Sequence, residues 1–415
     1  MNRTWWKEGV VYQIYPRSFK DSSGNGIGDI YGIIEKLDYI KSLGVNMIWI
    51  CPIYSSPNDD NGYDISDYRK ISEEFGGNRA FDILLKEMHK RDLKLIMDLV
   101  ANHSSDEHRW FEESKKGENN PYHDYYFWKK GKKEIRPNNW LSVFSGSVWE
   151  WDSNLNKYYL HSFTKKQPDL NWENPKVRDE IYDVLNFWFS KGVDGFRMDV
   201  ISFISKRLDF PPAKPEATLS EMMENIYANG PRIHEYLKEM NEKVLSKYDI
   251  VTVGEGPGVN LKTGLNYVDE KEKELDMVFH FDHLQIDFGP EGKFDPQPID
   301  FIKFKKVFSD WDSLLRNKGW NSIFLGNHDF SRIVSRFGND KKYRNESAKL
   351  LATLLMTLRG TPYVYQGDEI GMTNVKYPSI DHYDDIETRN AWKEAEEENK
   401  DMDVFLKAIH IQSRD

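Results

Sequence analysis

Short apolar runs alternate with longer amphipathic stretches along nearly all of this chain, and that rhythm leaves few folds open. The strand-like runs cover residues 10–15, 46–50, 94–99, 195–199, 250–255, 277–279, 322–325 and 363–365. Between them, helical spacing covers 30–43, 80–91, 176–191, 232–246, 301–317 and 346–358. Strand then helix, repeated about eight times, predicts an α/β chain whose parallel strands close into a (β/α)8 TIM barrel. A chain of 415 residues suits one large barrel with insertions. Asn174-Pro175 and Gly230-Pro231 read as helix starts.

The rhythm breaks once, after the third strand, for about seventy residues rich in Trp, Tyr, Asn and Gly. A structureless loop of that length is improbable, so 104–173 is read as a small inserted domain of short strands and turns. The catalytic barrel is then discontinuous, 1–103 and 174–415. The stretch Pro211-Pro212-Ala213-Lys214-Pro215 reads as a stiff loop.

Composition narrows the function classes. The net charge of −11 argues against nucleic acid as a partner. Aromatic residues make up 14% of the chain, and exposed rings stack on flat apolar faces such as those of sugars. The single cysteine, Cys51, follows an apolar run and reads as a buried small residue, with no intrachain disulfide. The N-terminus lacks the apolar core of a signal peptide, and no run approaches the ~20 apolar residues of a membrane span. The expectation is a cytoplasmic protein with no membrane partner; the oligomeric state is not readable.

The polar residues cluster where a barrel keeps its chemistry, at the C-terminal ends of strands. The third strand ends in Asp98, followed by Asn102-His103. The fourth ends in Arg197 and Asp199, the fifth in Glu255, and the seventh in Asn327-His328-Asp329. Alternation along a strand puts Arg197 and Asp199 on one face. A guanidinium there keeps the carboxylate ionised, and an ionised carboxylate can act as a nucleophile. Alone, Gly195-Phe196-Arg197-Met198-Asp199-Val200 also fits a structural ion pair, but four such strand ends together are hard to explain by stability.

The segments Asp98-Leu99-Val100-Ala101-Asn102-His103, Gly195-Phe196-Arg197-Met198-Asp199, Gly254-Glu255 and Asn327-His328-Asp329 resemble, in order and spacing, the four signature regions of the α-amylase superfamily, glycoside hydrolase family 13. Val11-Tyr12-Gln13-Ile14-Tyr15-Pro16-Arg17-Ser18-Phe19, Asp59-Asp60-Asn61-Gly62-Tyr63-Asp64-Ile65, Lys166-Gln167-Pro168-Asp169-Leu170-Asn171-Trp172 and Gln366-Gly367-Asp368-Glu369-Ile370-Gly371-Met372 are similar to its oligo-1,6-glucosidase and α-glucosidase branch.

The resemblance implies a retaining, exo-acting α-glucosidase that releases glucose from short α-glucosides, α-1,6-linked ones first. Asp199 would be the nucleophile, Glu255 the acid and base, and Asp329 the third acid. His103 and His328 would bind sugar hydroxyls, Asp60 would hold the non-reducing end, and Tyr63 would stack beneath that ring. Phe144, Phe163 and Gln167 would line the pocket from the inserted domain. Arg414 matches the family's late substrate-binding arginine. Val200, after the nucleophile, goes with α-1,6 preference. The alternatives are an α-1,4-glucosidase, a sucrose hydrolase, a trehalose-6-phosphate hydrolase, or transglycosylation. A non-catalytic heavy-chain-like relative is remote, because the three acids are kept. The isomaltulose-synthase branch is disfavoured, since no arginine-rich aromatic loop of its type stands near residues 280–300.

The chemistry requires no cofactor. The loop Asp21-Ser22-Ser23-Gly24-Asn25-Gly26-Ile27-Gly28-Asp29 places Asp21, Ser23, Asn25, Ile27 and Asp29 at alternate positions, like half of a calcium loop. It is a candidate for structural Ca²⁺ or Mg²⁺, or a capped turn before a helix. Three features depart from the branch: Gly256 after the acid, Phe330-Ser331 after the third acid, and length. Relatives continue past Arg414-Asp415 into a last barrel helix and a C-terminal β-sandwich, so the expectation is a chain without either.

Overall fold

The computed structural model describes residues 4–414. Eight parallel strands form one sheet: β1 Val11–Ile14, β2 Met47–Ile50, β3 Lys94–Val100, β4 Gly195–Asp199, β5 Val251–Glu255, β6 Met277–Phe279, β7 Ser322–Ile323 and β8 Thr361–Tyr365. Their order, β6-β5-β4-β3-β2-β1-β8-β7, is a ring cut between β6 and β7. Across the cut, the Ser322 hydroxyl donates to the Val278 carbonyl at 2.8 Å, and Phe279 meets Phe324 edge to face with centroids 4.8 Å apart.

The barrel is covered on its outside by helices and filled inside by side chains. Its strands therefore bury both faces and read as continuous apolar runs, as in β2 and β4, where every residue is buried. The helices that follow the strands include α1 Ile30–Ser42, α2 Gly77–His89, α3 Pro175–Lys191, α4 Ile233–Lys243, α5 Phe301–Leu315 and α6 Arg344–Thr357. In α1, Ile30, Ile33, Leu37 and Ile40 repeat at helical spacing and form the buried stripe. Asp29 caps it by accepting the Gly32 N–H. Asn174 caps α3, Pro175 fills its first turn, and Gly192 ends it at φ +104°.

Between β3 and α3 the chain forms a short helix, Arg109–Ser114, and an antiparallel sheet in which Lys157–Leu160 lies between Trp128–Lys130 and Trp149–Asp152. Its aromatic cluster, including Phe127, Trp140, Trp149 and Phe163, continues into Val200, Phe203, Phe210 and Tyr227 from the segment after β4. Polar ties join the same two segments. The Trp140 indole N–H donates to the Pro211 carbonyl at 2.6 Å, and Asn139 exchanges hydrogen bonds with the Ala213 backbone.

Three features differ from the sequence expectations. Among the described residues, strand β7 pairs only with β8, and it keeps two residues because it borders the cut. A hairpin of Phe288–Gly289 and Gly292–Pro296 follows β6. Helices α7 Ile386–Glu397 and α8 Met402–Gln412 follow β8 and pack on that hairpin through Phe294, Trp392 and Phe405. Among the described residues no helix is long and apolar enough to cross a membrane.

Candidate active site

The C-terminal ends of β3, β4 and β5 meet at one side chain. Arg197 donates from Nη1 to Asp98 Oδ1 and to Asp199 Oδ1, each at 2.7 Å, and its Nη2 lies 2.7 Å from Glu255 Oε2. Register explains the convergence: Asp98 and Val253 lie directly opposite Arg197 on the flanking strands. The guanidinium is 1% exposed and is packed against the rings of Trp49 and Tyr63. Glu255 Oε2 also accepts the Val200 backbone N–H at 2.9 Å.

Burial pushes Asp199, Glu255 and Asp98 upward from the usual carboxylate range, and Arg197 is the main force pulling each back. For all three the upward push outweighs the guanidinium, most strongly for Asp199, so Arg197 alone does not keep that carboxylate ionised as the sequence suggested. Three carboxyls on one guanidinium cannot all ionise cheaply, so protons are shared within the cluster.

Asp329 is held differently. Burial raises its pKa, but cations outweigh that and leave it lowered. His328 heads those opposing groups, yet burial presses its own pKa to about 4, so it is neutral at pH 7. Near neutrality Arg414, Arg197 and Lys293 must do the holding. Arg414 reaches Asp329 Oδ1 at 2.8 Å and Asp385 Oδ1 at 2.6 Å.

The sequence-predicted pocket residues fall around this centre. Asp60 accepts from the Gln167 amide at 2.9 Å, and burial raises its pKa to about 7. The Gln167 amide nitrogen also stands 3.2 Å from His103 Nε2. His103 packs on Phe163, whose other neighbours include Phe144 and Phe203. Tyr63 Oη lies 2.7 Å from His328 Nε2, and the Gln13 amide nitrogen is 2.9 Å from His328 Nδ1. Val200 joins the aromatic cluster of the inserted segment at φ +33°. Cys51 is buried, with its thiol pushed well up, as a packing residue would be.

Asp385, Lys293 and its partner Glu387 were not singled out from the sequence. Asp385 caps α7 and grips Arg414. Lys293 donates to the Asp329 carbonyl at 3.1 Å and to Glu387 at 2.5 Å. An Asp before a helical pattern was the available signal for Asp385. Nothing local marks Lys293, which the hairpin carries in from a distant part of the chain.

The loop at 21–29 turns its oxygens onto its own backbone. Asp21 accepts N–H groups from Ser23, Gly24 and Gly26, and Asn25 accepts the Ile27 N–H. Ser23 Oγ turns onto Asp21, and Asp29 takes the N–H groups of Ser22 and Gly32. Among the described residues no group of three His, Cys, Asp or Glu side chains converges to hold a metal. Two carboxylates whose oxygens already serve amide donors suit a self-closed turn better than a hard cation.

Comparison with known proteins follows the same lines. The family described as alpha amylase, catalytic domain, matches residues 13–415. The chain is 59% identical to the oligo-1,6-glucosidase of Parageobacillus thermoglucosidasius over 417 residues, covering 100% of this chain and 74% of that protein. It is 56% identical to the oligo-1,6-glucosidase of Bacillus cereus, covering 100% and 75%. Among solved structures it is similar to isomaltulose synthase from Klebsiella sp. LX3, with TM-score 0.97 and 48% identity, covering 100% of this chain and 74% of that one.

Proposed function

The chain belongs to the α-amylase family of glycoside hydrolases, and from that premise we propose that it is a retaining, exo-acting α-glucosidase acting on short α-1,6-linked glucosides. The observation that carries the mechanism is the single guanidinium shared by Asp199 and Glu255. Two carboxyls on one small cation stand close enough to work on the same bond, as the retaining mechanism needs.

Asp199 keeps Oδ1 on Arg197 and attacks the anomeric carbon with Oδ2. The bond from that carbon to the glycosidic oxygen breaks as the new ester bond forms. Glu255 delivers a proton to the leaving oxygen. Its contacts with Arg197 and the Val200 N–H both fall on Oε2, so the proton belongs on Oε1. Positive charge growing at the anomeric carbon favours ionised Asp199, which sends the shared proton to Glu255. In the second step Glu255 takes a proton from water, the water oxygen attacks the anomeric carbon, the bond from that carbon to Asp199 breaks and frees its carboxylate, and glucose leaves with its configuration retained.

Asp329, kept ionised by Arg414, binds sugar hydroxyls and favours the flattened ring of the transition state. Asp60, Gln167, His103 and His328 take the remaining hydroxyls, and Tyr63, Phe144 and Phe163 wall the pocket. The 59% identity to an oligo-1,6-glucosidase supports the linkage preference.

A 2-deoxy-2-fluoroglucoside with a good leaving group tests the chemistry. It should label Asp199 in the parent, and Asp199→Ala should lose hydrolysis while staying folded, since Arg197 keeps Asp98 and Glu255. Labelling elsewhere overturns the assignment. Glucose release from isomaltose, maltose, sucrose, trehalose and trehalose-6-phosphate tests the substrate; faster release from any sugar other than isomaltose overturns the preference.

A further inference from the structure

Asp329 and Arg414 are 85 residues apart in the chain, and one half-buried side chain, Asn374, joins the segments that carry them. Asn374 follows β8. On one side it is fixed to the segment after β7. Its Oδ1 accepts the Arg332 backbone N–H at 2.7 Å, and its own backbone N–H donates to Ser335 Oγ at 2.9 Å. On the other side its Nδ2 donates to the carbonyls of His410 and Ile411, each at 3.1 Å. Arg332 stands three residues after Asp329, and Ile411 three residues before Arg414.

The direction of each side-chain bond is fixed, because the partners are backbone groups. A backbone N–H only donates and a backbone carbonyl only accepts, so this amide can face only one way. The two carbonyls belong to the last turn of α8, where a helix has no donors of its own left for them. A second tie runs beside this one. Gln412 Nε2 donates to Asp287 Oδ2 at 2.9 Å, and Arg336 Nε donates to the same oxygen at 2.9 Å. That tie passes through three side chains in series, a softer linkage than one short amide set between two backbones.

We propose that Asn374 is a positioning residue: it sets the Arg414 guanidinium against Asp329 and so maintains the ion pair at the sugar site. His328, Arg197 and Lys293 also face Asp329, as do the carboxyls of Asp60, Asp199 and Glu255. Among the described residues none of these bonds to Asn374, so its loss acts on Asp329 through Arg414. The inference rests on the reading of Asp329 as an acid of the sugar site, but the titration of its carboxyl can be followed without any sugar.

The experiment is ¹³C NMR of the whole chain labelled at the aspartate carboxyls, with the Asp329 signal assigned by its loss in Asp329→Asn. Asn374→Ala removes the bridge. The Gln412 tie stays and Ile411 is exposed, so the helix end should remain attached and its freed carbonyls should find water. The midpoint of the Asp329 titration should rise by about one pH unit, a tenfold change in proton affinity. Arg414→Ala should raise it at least as far, and adding Asn374→Ala to Arg414→Ala should change nothing more. An unmoved midpoint in Asn374→Ala overturns the proposal. So does a further rise of the same size in the Arg414→Ala background, since Asn374 would then act by another route. On isomaltose the loss of kcat/KM in Asn374→Ala should deepen as pH falls, because Asp329 then takes up its proton earlier. A loss equal at every pH would mark a merely structural role and overturn the proposal too. If the carboxyl titrates as stated but glucosides are not turned over, only the functional reading fails.

Discussion

The backbone N–H of Val200 donates to the Glu255 carboxylate at 2.9 Å, and it does so from the left-handed region, at φ +33° and ψ +42°. A β-branched residue there is strained by ~1–3 kcal/mol. Two contacts over-determine it. The side chain is buried with Phe163 and Phe203 in the cluster shared with the inserted segment, while the amide is turned back onto the acid. Val200 thus ties Glu255 to the inserted segment.

On the proposed reading the same side chain borders the space where a second sugar turns, and it offers that sugar no hydroxyl. Val200→Thr keeps the branched shape and adds one. The kcat/KM ratio of isomaltose to maltose should shift toward maltose by ~1–3 kcal/mol, roughly 10- to 200-fold. An unchanged ratio would show that linkage is chosen elsewhere, with Lys293 and Glu387 the next residues to vary.

Glu255→Gln keeps the Val200 contact and removes the proton. Glucosides with poor leaving groups need that proton in the first step, whereas activated aryl glucosides do not. The variant should therefore lose far more activity on isomaltose than on an activated aryl glucoside, by about 100-fold or more in relative kcat/KM. Equal losses on both would remove Glu255 from the acid's role.

Much of this site was legible because buried parallel strands read as apolar runs that stop at polar residues. Asp98, Asp199 and Glu255 end such runs, and register then forces them onto Arg197. Partners brought from distant loops left no such trace. Lys293 reaches Asp329, and Asp385 reaches Arg414, from a hairpin and a helix start that periodicity did not mark. Strand β7 was read two residues too long because Phe324 and Leu325 are buried without joining the ladder.

The loop at 21–29 makes a separate prediction. Its carboxylates already hold amide donors, so added Ca²⁺ or Mg²⁺ has few free oxygens to bind. Melting temperature should differ by less than about 2 °C between a chelator and millimolar Ca²⁺, since a bound structural ion at many times its Kd would contribute several kcal/mol. A rise well beyond that, lost in Asp21→Ala, would show that the loop opens to an ion.

The last prediction follows from Asp60, whose pKa burial raises to about 7. An acid whose folded pKa lies above its unfolded value, ordinarily ~3.9, holds more protons in the folded state between the two. Its contribution to stability therefore falls as pH rises from about 4 to about 7. His103 and His328 run the other way. Their pKa values are pressed to about 4, so between about 4 and 6.5 the unfolded chain holds more protons and stability rises with pH. Asp60→Asn removes only the first effect. Relative to the parent, the variant should gain roughly 1–4 kcal/mol more stability at pH 7.5 than at pH 4.5, at up to ~1.4 kcal/mol per pH unit. Denaturant unfolding at the two pH values measures this difference directly. An equal change at both would mean that Asp60 stays ionised throughout, held by Arg414 and Gln167 against its burial.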